Sequence, residues 1–374
     1  MRVLFVNQYF PPDPAPTGIL FREIADECTH LGHEVDFVDA GESYRAAQNQ
    51  GGRMRRELIA LRRMVAAGKS RPRADVVVSG TSPPRLAVFA DRIARAHRAR
   101  HVHWVMDVYP EIAVALGEIR RGSLTARFTG WLMGRAYRRC AAVIALDADM
   151  AAVLQRRSVE AINIRPWVFR TILDQIPKVP ELPRDRRNQT WTWLYSGNLG
   201  RAHEFETLLQ AQKAIEDRGC EIRLSFQGGG PSWQKAQDRA RELGLSRCDF
   251  RSYVPEESLA GSLLESDALV VTQRPETQGL LWPSKLGLVS ALPRPILFVG
   301  PGDGAIARGL QSLSHAGIFL PGDVSGVADW VIARSKSTSP ITAAIDPIAH
   351  RTKAIASWVE LIEGSTSLRC KKAA

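Results

Sequence analysis

Short apolar runs rich in valine, isoleucine and leucine recur along this chain, and between them apolar residues return every three to four positions. The short runs read as buried strands and the periodic stretches as helices. In the first half, strands are expected at Val3–Asn7, Val35–Asp39, Ala74–Ser79, Val102–Met106 and Ala142–Leu146, and a first helix over Gly18–Leu31, stopped by Gly32. The character changes at residues 171–190. Asp174 to Gln189 holds three prolines and the charged run Arg184-Asp185-Arg186-Arg187, the pattern of a linker. A second alternation follows, with strands expected at Thr192–Ser196, Arg223–Gln227, Asp249–Tyr253, Ala268–Thr272, Ile296–Val299 and Gly317–Leu320. A last helix is expected over 346–363 and a polar, basic tail over 364–374. Short β-branched runs alternating with helices predict parallel sheets covered on both faces. The expected fold is α/β: two doubly wound Rossmann-like domains facing a cleft. They would span residues 1–170 and 191–345, with a linker at 171–190 and a C-terminal helix and tail at 346–374. Ligands of such folds lie at the carboxyl ends of the strands.

Composition narrows the class. The chain has 374 residues, 45% of them hydrophobic, enough to bury large cores. It has no run of about 18 apolar residues, so no spanning helix is expected. Met1-Arg2-Val3-Leu4-Phe5-Val6 enters a strand pattern directly, unlike a secretion signal. Five cysteines without a Cys-x-x-Cys pair fit a reducing cytoplasm and argue against a zinc site. The net charge of +11 is uneven: residues 1–170 carry 26 Lys/Arg against 17 Asp/Glu, while residues 171–374 carry 24 against 22. The first half should therefore face something anionic, whether a membrane surface, a phosphorylated substrate or nucleic acid. Its basic segments, Arg53–Arg73 and Arg120–Arg139, place Met54, Leu58, Leu61 and Val65, and Leu124, Phe128, Trp131 and Leu132, at helical spacing. Each suits an amphipathic helix on an anionic membrane, or equally a core-packed helix with a solvated face. Nucleic acid is disfavoured, because no aromatic stacking platform accompanies the charge.

Several turns carry candidate chemistry. In Trp282-Pro283-Ser284-Lys285-Leu286, Pro283 fits a first helical turn, Ser284 can cap, and Lys285 sets a positive charge beside free backbone N–H groups. This suits a diphosphate clamp; a capped surface helix with a solvated lysine is the plain alternative. Tyr195-Ser196-Gly197-Asn198-Leu199-Gly200-Arg201 leaves a strand, where glycines let backbone N–H groups approach a phosphate, and Arg201 and His203 could add charge or donors. Gly228-Gly229-Gly230-Pro231 ends another strand. Pro11 to Gly18 is a stiff loop whose Gly18 could present donors, without the Gly-x-Gly-x-x-Gly dinucleotide fingerprint. Each of these also reads as an ordinary turn, as does Gly300-Pro301-Gly302-Asp303-Gly304. Asp107 and Glu111 follow the Val102–Met106 strand, where catalytic groups of such folds lie. His101-Val102-His103 lacks a third metal ligand and reads as strand packing. Asp147-Ala148-Asp149 could hold a divalent metal but reads better as a helix N-cap.

Taken in this order, these motifs resemble family-four-type glycosyltransferases of the GT-B fold, in particular those of capsule, O-antigen and colanic acid assembly. The similarity runs from Tyr9-Phe10-Pro11-Pro12 to Leu320-Pro321-Gly322-Asp323. It implies retaining transfer from a nucleotide-diphosphate sugar, usually a UDP-sugar, without a metal cofactor. The second domain would hold the donor through Gly197, Asn198, Gly200, Arg201, Gly228, Gly229, Gly230, Gln273, Arg274, Pro283 and Ser284, with Gly18 adding to it from the first. Lys285 would stabilise the diphosphate leaving group. Asp107 would orient the acceptor hydroxyl or steady the oxocarbenium-like transition state, with Glu111 helping to place a lipid-linked or saccharide acceptor. The chain departs from the family in three places. Leu280 and Leu288 stand where many relatives carry two glutamates, Asn198 and His203 where many carry Arg and Lys, and the first loop has one glycine in place of a pair. The resemblance implies a cytoplasmic enzyme, peripheral on the inner face of the cell membrane. A nucleotide-sugar 2-epimerase of the same fold and a non-catalytic scaffold derived from it are the alternatives.

Overall fold

The computed structural model describes residues 1–41, 53–176 and 190–364. Most of the expected linker and nearly all of the expected tail lie outside the described residues. The chain divides into two compact units. The first comprises Met1–Pro166, Gly279–Trp282 and the chain from Arg351 on; the second comprises Trp167–Gln278 and Pro283–His350.

The first unit is built on β1 (Arg2–Val6), β2 (Glu34–Val38), β3 (Val76–Ser79), β4 (Arg100–Trp104), β5 (Ala142–Ala145) and β6 (Ile162–Asn163). They pair in parallel in the order β2-β1-β3-β4-β5-β6. The β6 strand, unforeseen from sequence, is two residues long, too short to show a period. Aromatic rings fill one side of this sheet. Phe5 stacks on Phe37 at 5.7 Å and meets Phe21 edge-on at 5.8 Å, and Trp104 lies 4.8 Å from Trp358. Trp358 comes from the last helix, Pro347–Glu363. That helix is pinned by an Arg351–Glu23 ion pair at 2.8 Å and by Arg100, which donates to the Leu361 and Ile362 carbonyls. Trp358 is fully buried, so truncating it would cost about 3–5 kcal/mol.

The two basic segments part company here. The helix Arg53–Ser70 buries Ala60, Leu61 and Met64 in a cluster with Val38, Val77 and Ile93, with Val65 packed against it. It is a core-packed helix, as its plainer reading had it; the Met54 side chain lies outside the described residues. The helix Leu124–Arg139 buries Ala126, Met133, Ala136 and Tyr137 instead, while Leu124, Phe128 and Trp131 stay exposed.

The second unit is built on β7 (Trp191–Asn198), β8 (Ile222–Gly229), β9 (Cys248–Arg251), β10 (Ala268–Thr272), β11 (Ile296–Val299) and β12 (Ala316–Phe319). They too are parallel, in the order β12-β11-β10-β7-β8-β9. Its core holds Trp193, Tyr195, Leu208, Leu224, Phe226 and Val299, and the buried Trp193 indole N–H donates to Gln212 at 3.0 Å. The β7 and β8 strands run two residues past their expected ends, in register as Gly197↔Gly228 and Asn198↔Gly229. Glycine makes this possible. A Cβ on Gly228 would stand 2.2 Å from the Gly197 carbonyl oxygen, at a φ of +140°.

Candidate active site

The strand order of the second sheet reverses between β10 and β7, and open α/β sheets bind ligands outside the carboxyl ends of the strands at such a reversal. Here the two loops that leave these strands are tied together. The Arg274 N–H donates to the Ala202 carbonyl at 2.9 Å, the Glu204 N–H donates to the Thr272 hydroxyl at 3.2 Å, and His203 Nδ1 bonds the Thr272 carbonyl at 3.0 Å. A carbonyl only accepts, so Nδ1 carries the proton and Nε2 is left as an acceptor. Burial, with Lys285 nearby, pushes the His203 pKa down to about 3. His203 is therefore neutral and does not add the charge expected of it.

Lys285 stands over this floor. Its Nζ lies 3.2 Å from the centroid of the Tyr195 ring, and Cε and Nζ would each be 3.5 Å from a Cβ on Gly197, whose φ is +125°. Nζ is buried and makes no hydrogen bond among the described residues. Burial holds its pKa well below the ordinary lysine value, so the fixed charge expected from sequence is instead a desolvated amine. Tyr195 is anchored beneath it, its hydroxyl donating to the Asn198 carbonyl at 3.1 Å. Two other expectations for this loop change. Ser284 makes no side-chain cap bond, and Pro283 precedes the helix Lys285–Ser290, its carbonyl accepting from the Leu286 N–H at 2.9 Å.

The glycine tips border this site. Leu199 N–H donates to the Gly229 carbonyl at 2.6 Å, and a Cβ on Gly230 would meet the Asn198 side-chain oxygen at 2.1 Å. Gly200 has no neighbour closer than 3.8 Å to such a Cβ, and Arg201 and Asn198 are exposed. Gln273 is buried and donates to the Thr277 carbonyl at 3.2 Å, whereas the exposed Arg274 pairs with Glu276 at 3.4 Å. Leu280 and Leu288 are both buried.

A cavity of about 800 Å³ in the same unit is lined by Gln227, Arg251, Val254 and Ser262, among others. Ser262 donates to Gln227 at 2.6 Å and Gln227 donates to Ser196 at 3.2 Å, a hydrogen-bonded chain from the cavity to the residue beside Gly197. The exposed Tyr253 ring lies against Gly229. Of the cavity residues, only Gln227 belongs to a motif legible in the sequence, the turn Phe226–Pro231 that can pass close to a nucleotide. The only other signal is polar side chains at the carboxyl ends of β8 and β9.

In the first unit, Asp107 follows β4 and forms an antiparallel bridge with Leu281, while the Val108 N–H donates to the Leu280 carbonyl at 2.8 Å. Burial raises the Asp107 pKa to about 6. Glu111 is committed to an ion pair with Arg157, which also donates to the Tyr109 carbonyl at 3.1 Å. The Gly18 N–H donates to the Ala15 carbonyl at 3.0 Å, and a Cβ there would stand 2.5 Å from the Tyr9 carbonyl oxygen. Close packing accounts for this glycine, and its N–H is not available to a diphosphate. His101 and His103 share Ser79 Oγ at 2.8 Å each and are buried, which is the strand packing expected of them. Asp147 caps the helix Ala148–Gln155, accepting from the Met150 N–H at 2.7 Å. The turn at Gly300–Gly304 is a plain one, with the Gly304 N–H reaching back to the Pro301 carbonyl.

Comparison with known proteins bears on this arrangement. No family model matches the chain. A probable glycosyltransferase of Pseudomonas aeruginosa, WbjE, is 25% identical over 246 residues, 63% of this chain and 60% of that protein, so the match spans less than two thirds of the relative. Among solved structures, sucrose-phosphate synthase from Thermosynechococcus elongatus superposes with a TM-score of 0.69 at 13% identity, covering the whole of both chains. Anabaena HepE, crystallised with UDP-glucose, superposes with a TM-score of 0.64 at 13% identity, covering 98% of this chain and 99% of its own. The fold of this chain, two parallel α/β units, is the one these enzymes share.

Proposed function

We propose that the chain is a retaining glycosyltransferase that takes a sugar from a nucleotide-diphosphate sugar, a UDP-sugar, and passes it to a saccharide or lipid-linked acceptor in surface polysaccharide assembly. The observation that carries this reading is Lys285: a buried amine without a hydrogen-bond partner, over Tyr195 and beside Gly197, at the strand reversal. Such a group is costly to the fold and gains its partners from a bound anion. As the bond between the sugar and the diphosphate breaks, negative charge builds on the leaving oxygen, and Lys285, which regains its proton beside the bound diphosphate, stabilises it as the ammonium. This task needs no metal, and we read the reaction as metal-independent. The glycine tips of β7 and β8 let backbone approach the diphosphate, and the cavity around Gln227 and Arg251 receives the nucleoside. Asp107 orients the acceptor hydroxyl. The relative WbjE and the UDP-glucose complex of HepE support this reading.

The buried Leu280 and Leu288 favour a second reading, a scaffold that has lost donor contacts. Thermal stabilisation by a panel of nucleotides and nucleotide sugars, with and without chelator, separates the two. The transferase reading expects a shift with UDP or a UDP-sugar that chelator leaves unchanged, and release of UDP when lipid extract is added. Absence of any shift would discard it.

A further inference from the structure

The helix Leu124–Arg139 has two apolar faces, and only one is used. Ala126, Met133, Ala136 and Tyr137 are buried. On the opposite side Leu124 is 84% exposed, Phe128 62% and Trp131 57%. At about 100° per residue, these three and Arg135 fall within an arc of roughly 60°. Phe128 and Trp131 stack on each other at 6.0 Å, and the Arg135 guanidinium lies 6.0 Å from the Trp131 ring. Exposed aromatic and leucine side chains in one stripe are costly in water and mark a contact surface.

The charge around the stripe says what the contact is. Between Gly122 and Arg139 the sequence has no acidic residue, while Arg127, Arg135, Arg138 and Arg139 lie on the helix and Arg120 and Arg121 precede it. Arg139 is occupied with Asp91 at 3.1 Å and Arg138 with the Arg157 carbonyl at 3.1 Å. Arg127 and Arg135 are exposed beside the stripe. A second copy meeting this face across a two-fold axis would set these arginines against their own counterparts. An anionic lipid surface meets both demands, with headgroups for the guanidinium groups and acyl chains for the rings.

We propose that the Leu124–Phe128–Trp131 stripe is a membrane-docking face that inserts into the headgroup layer of an anionic bilayer. The proposal stands apart from the assignment of the nucleotide site, and UDP binding is its independent control. The test is co-sedimentation of the full chain with phosphatidylcholine vesicles, with and without phosphatidylglycerol. The expected result is binding to the anionic vesicles only, weakened by salt. Arg127→Gln and Arg135→Gln should each weaken it about fivefold. A triple Leu124→Ser, Phe128→Ser, Trp131→Ser variant should weaken it more than about tenfold with its melting temperature and UDP response unchanged. Brominated lipid should quench a fluorescence component that Trp131→Phe removes. A wild-type chain that stays in the supernatant, a triple variant that binds as the wild type does, or dimerisation that the triple variant abolishes would each overturn the proposal.

Discussion

Replacing Lys285 with methionine is the sharpest probe of the site, because it should separate stability from binding. Methionine keeps the length and much of the volume of lysine. It removes a buried amine without a hydrogen-bond partner, a group whose burial costs about 1–3 kcal/mol. It also loses the amine's N–H contact with the Tyr195 ring at 3.2 Å, worth about 0.5–1 kcal/mol. The balance runs from near zero to about 2.5 kcal/mol in favour of the variant, or a rise of up to roughly 10 °C in the melting temperature of a unit this size. UDP affinity should move the other way. Loss of one charge-assisted hydrogen bond, about 1.5–3 kcal/mol, weakens it roughly tenfold to 150-fold. Proton linkage adds an independent reading. The folded pKa of Lys285 lies below the unfolded value, so the native chain binds fewer protons than the unfolded one, and this group's contribution to stability rises with pH from the folded pKa towards 10.5. A bound diphosphate returns the proton. Binding should therefore take up protons, measured by calorimetry in buffers of different ionisation heat, and the uptake should vanish in Lys285→Met. A variant that melts several degrees lower and binds UDP like the wild type would refute the reasoning.

Asp107→Asn should cut turnover strongly and leave UDP binding intact; turnover near the wild-type level removes the role assigned to it. Because the Asp107 pKa is raised to about 6 from 3.8, its contribution is a penalty that appears as pH rises through that window, so the same variant should be more stable at neutral pH by up to about 3 kcal/mol, and no more stable at pH 3, in urea titrations. Gly228→Ala forces a Cβ to 2.2 Å from a backbone oxygen at positive φ and should cost more than about 3 kcal/mol, against about 1–2 for Gly219→Ala, which has open space around it, both read from the denaturant midpoint. Asp147→Ala removes a cap bond and should cost about 1 kcal/mol without changing turnover.

Among the described strands, β1, β5, β10 and β11 were legible because each holds an unbroken apolar run of four residues, and the others because short clusters of β-branched and aromatic residues alternate with helical stretches. The two-residue β6 has no such signature. The extra length of β7 and β8 was hidden for a different reason. Gly197, Gly228 and Gly229 carry no β propensity, and it is the absence of Cβ atoms that lets the tips pair. The site residues were legible as types and illegible as states. Lys285 stood out as a positive charge at a turn, but its desolvation depends on Tyr195, some ninety positions away in sequence and directly beneath it in the fold. His203 lost its charge in the same way, to burial and to the nearby Lys285, although its bond to the Thr272 carbonyl favours the charged form. Periodicity marked Leu124–Arg139 as apolar on a helix, yet it could not say which of two apolar arcs the rest of the unit would cover.

The last helix has a consequence for synthesis. The second unit, from Trp167 to His350, is complete in sequence before the first one is, since Trp358 and the Arg351 ion pair belong to the first. On the ribosome the order of maturation is therefore reversed. The strands of the first unit precede the second unit and wait for a helix that follows it, with Phe21 and Trp104 uncovered until Trp358 emerges. A ribosome that stalls before Arg351 would hold a chain whose second unit is complete in sequence and whose first is open, and that nascent species is the one a chaperone would meet.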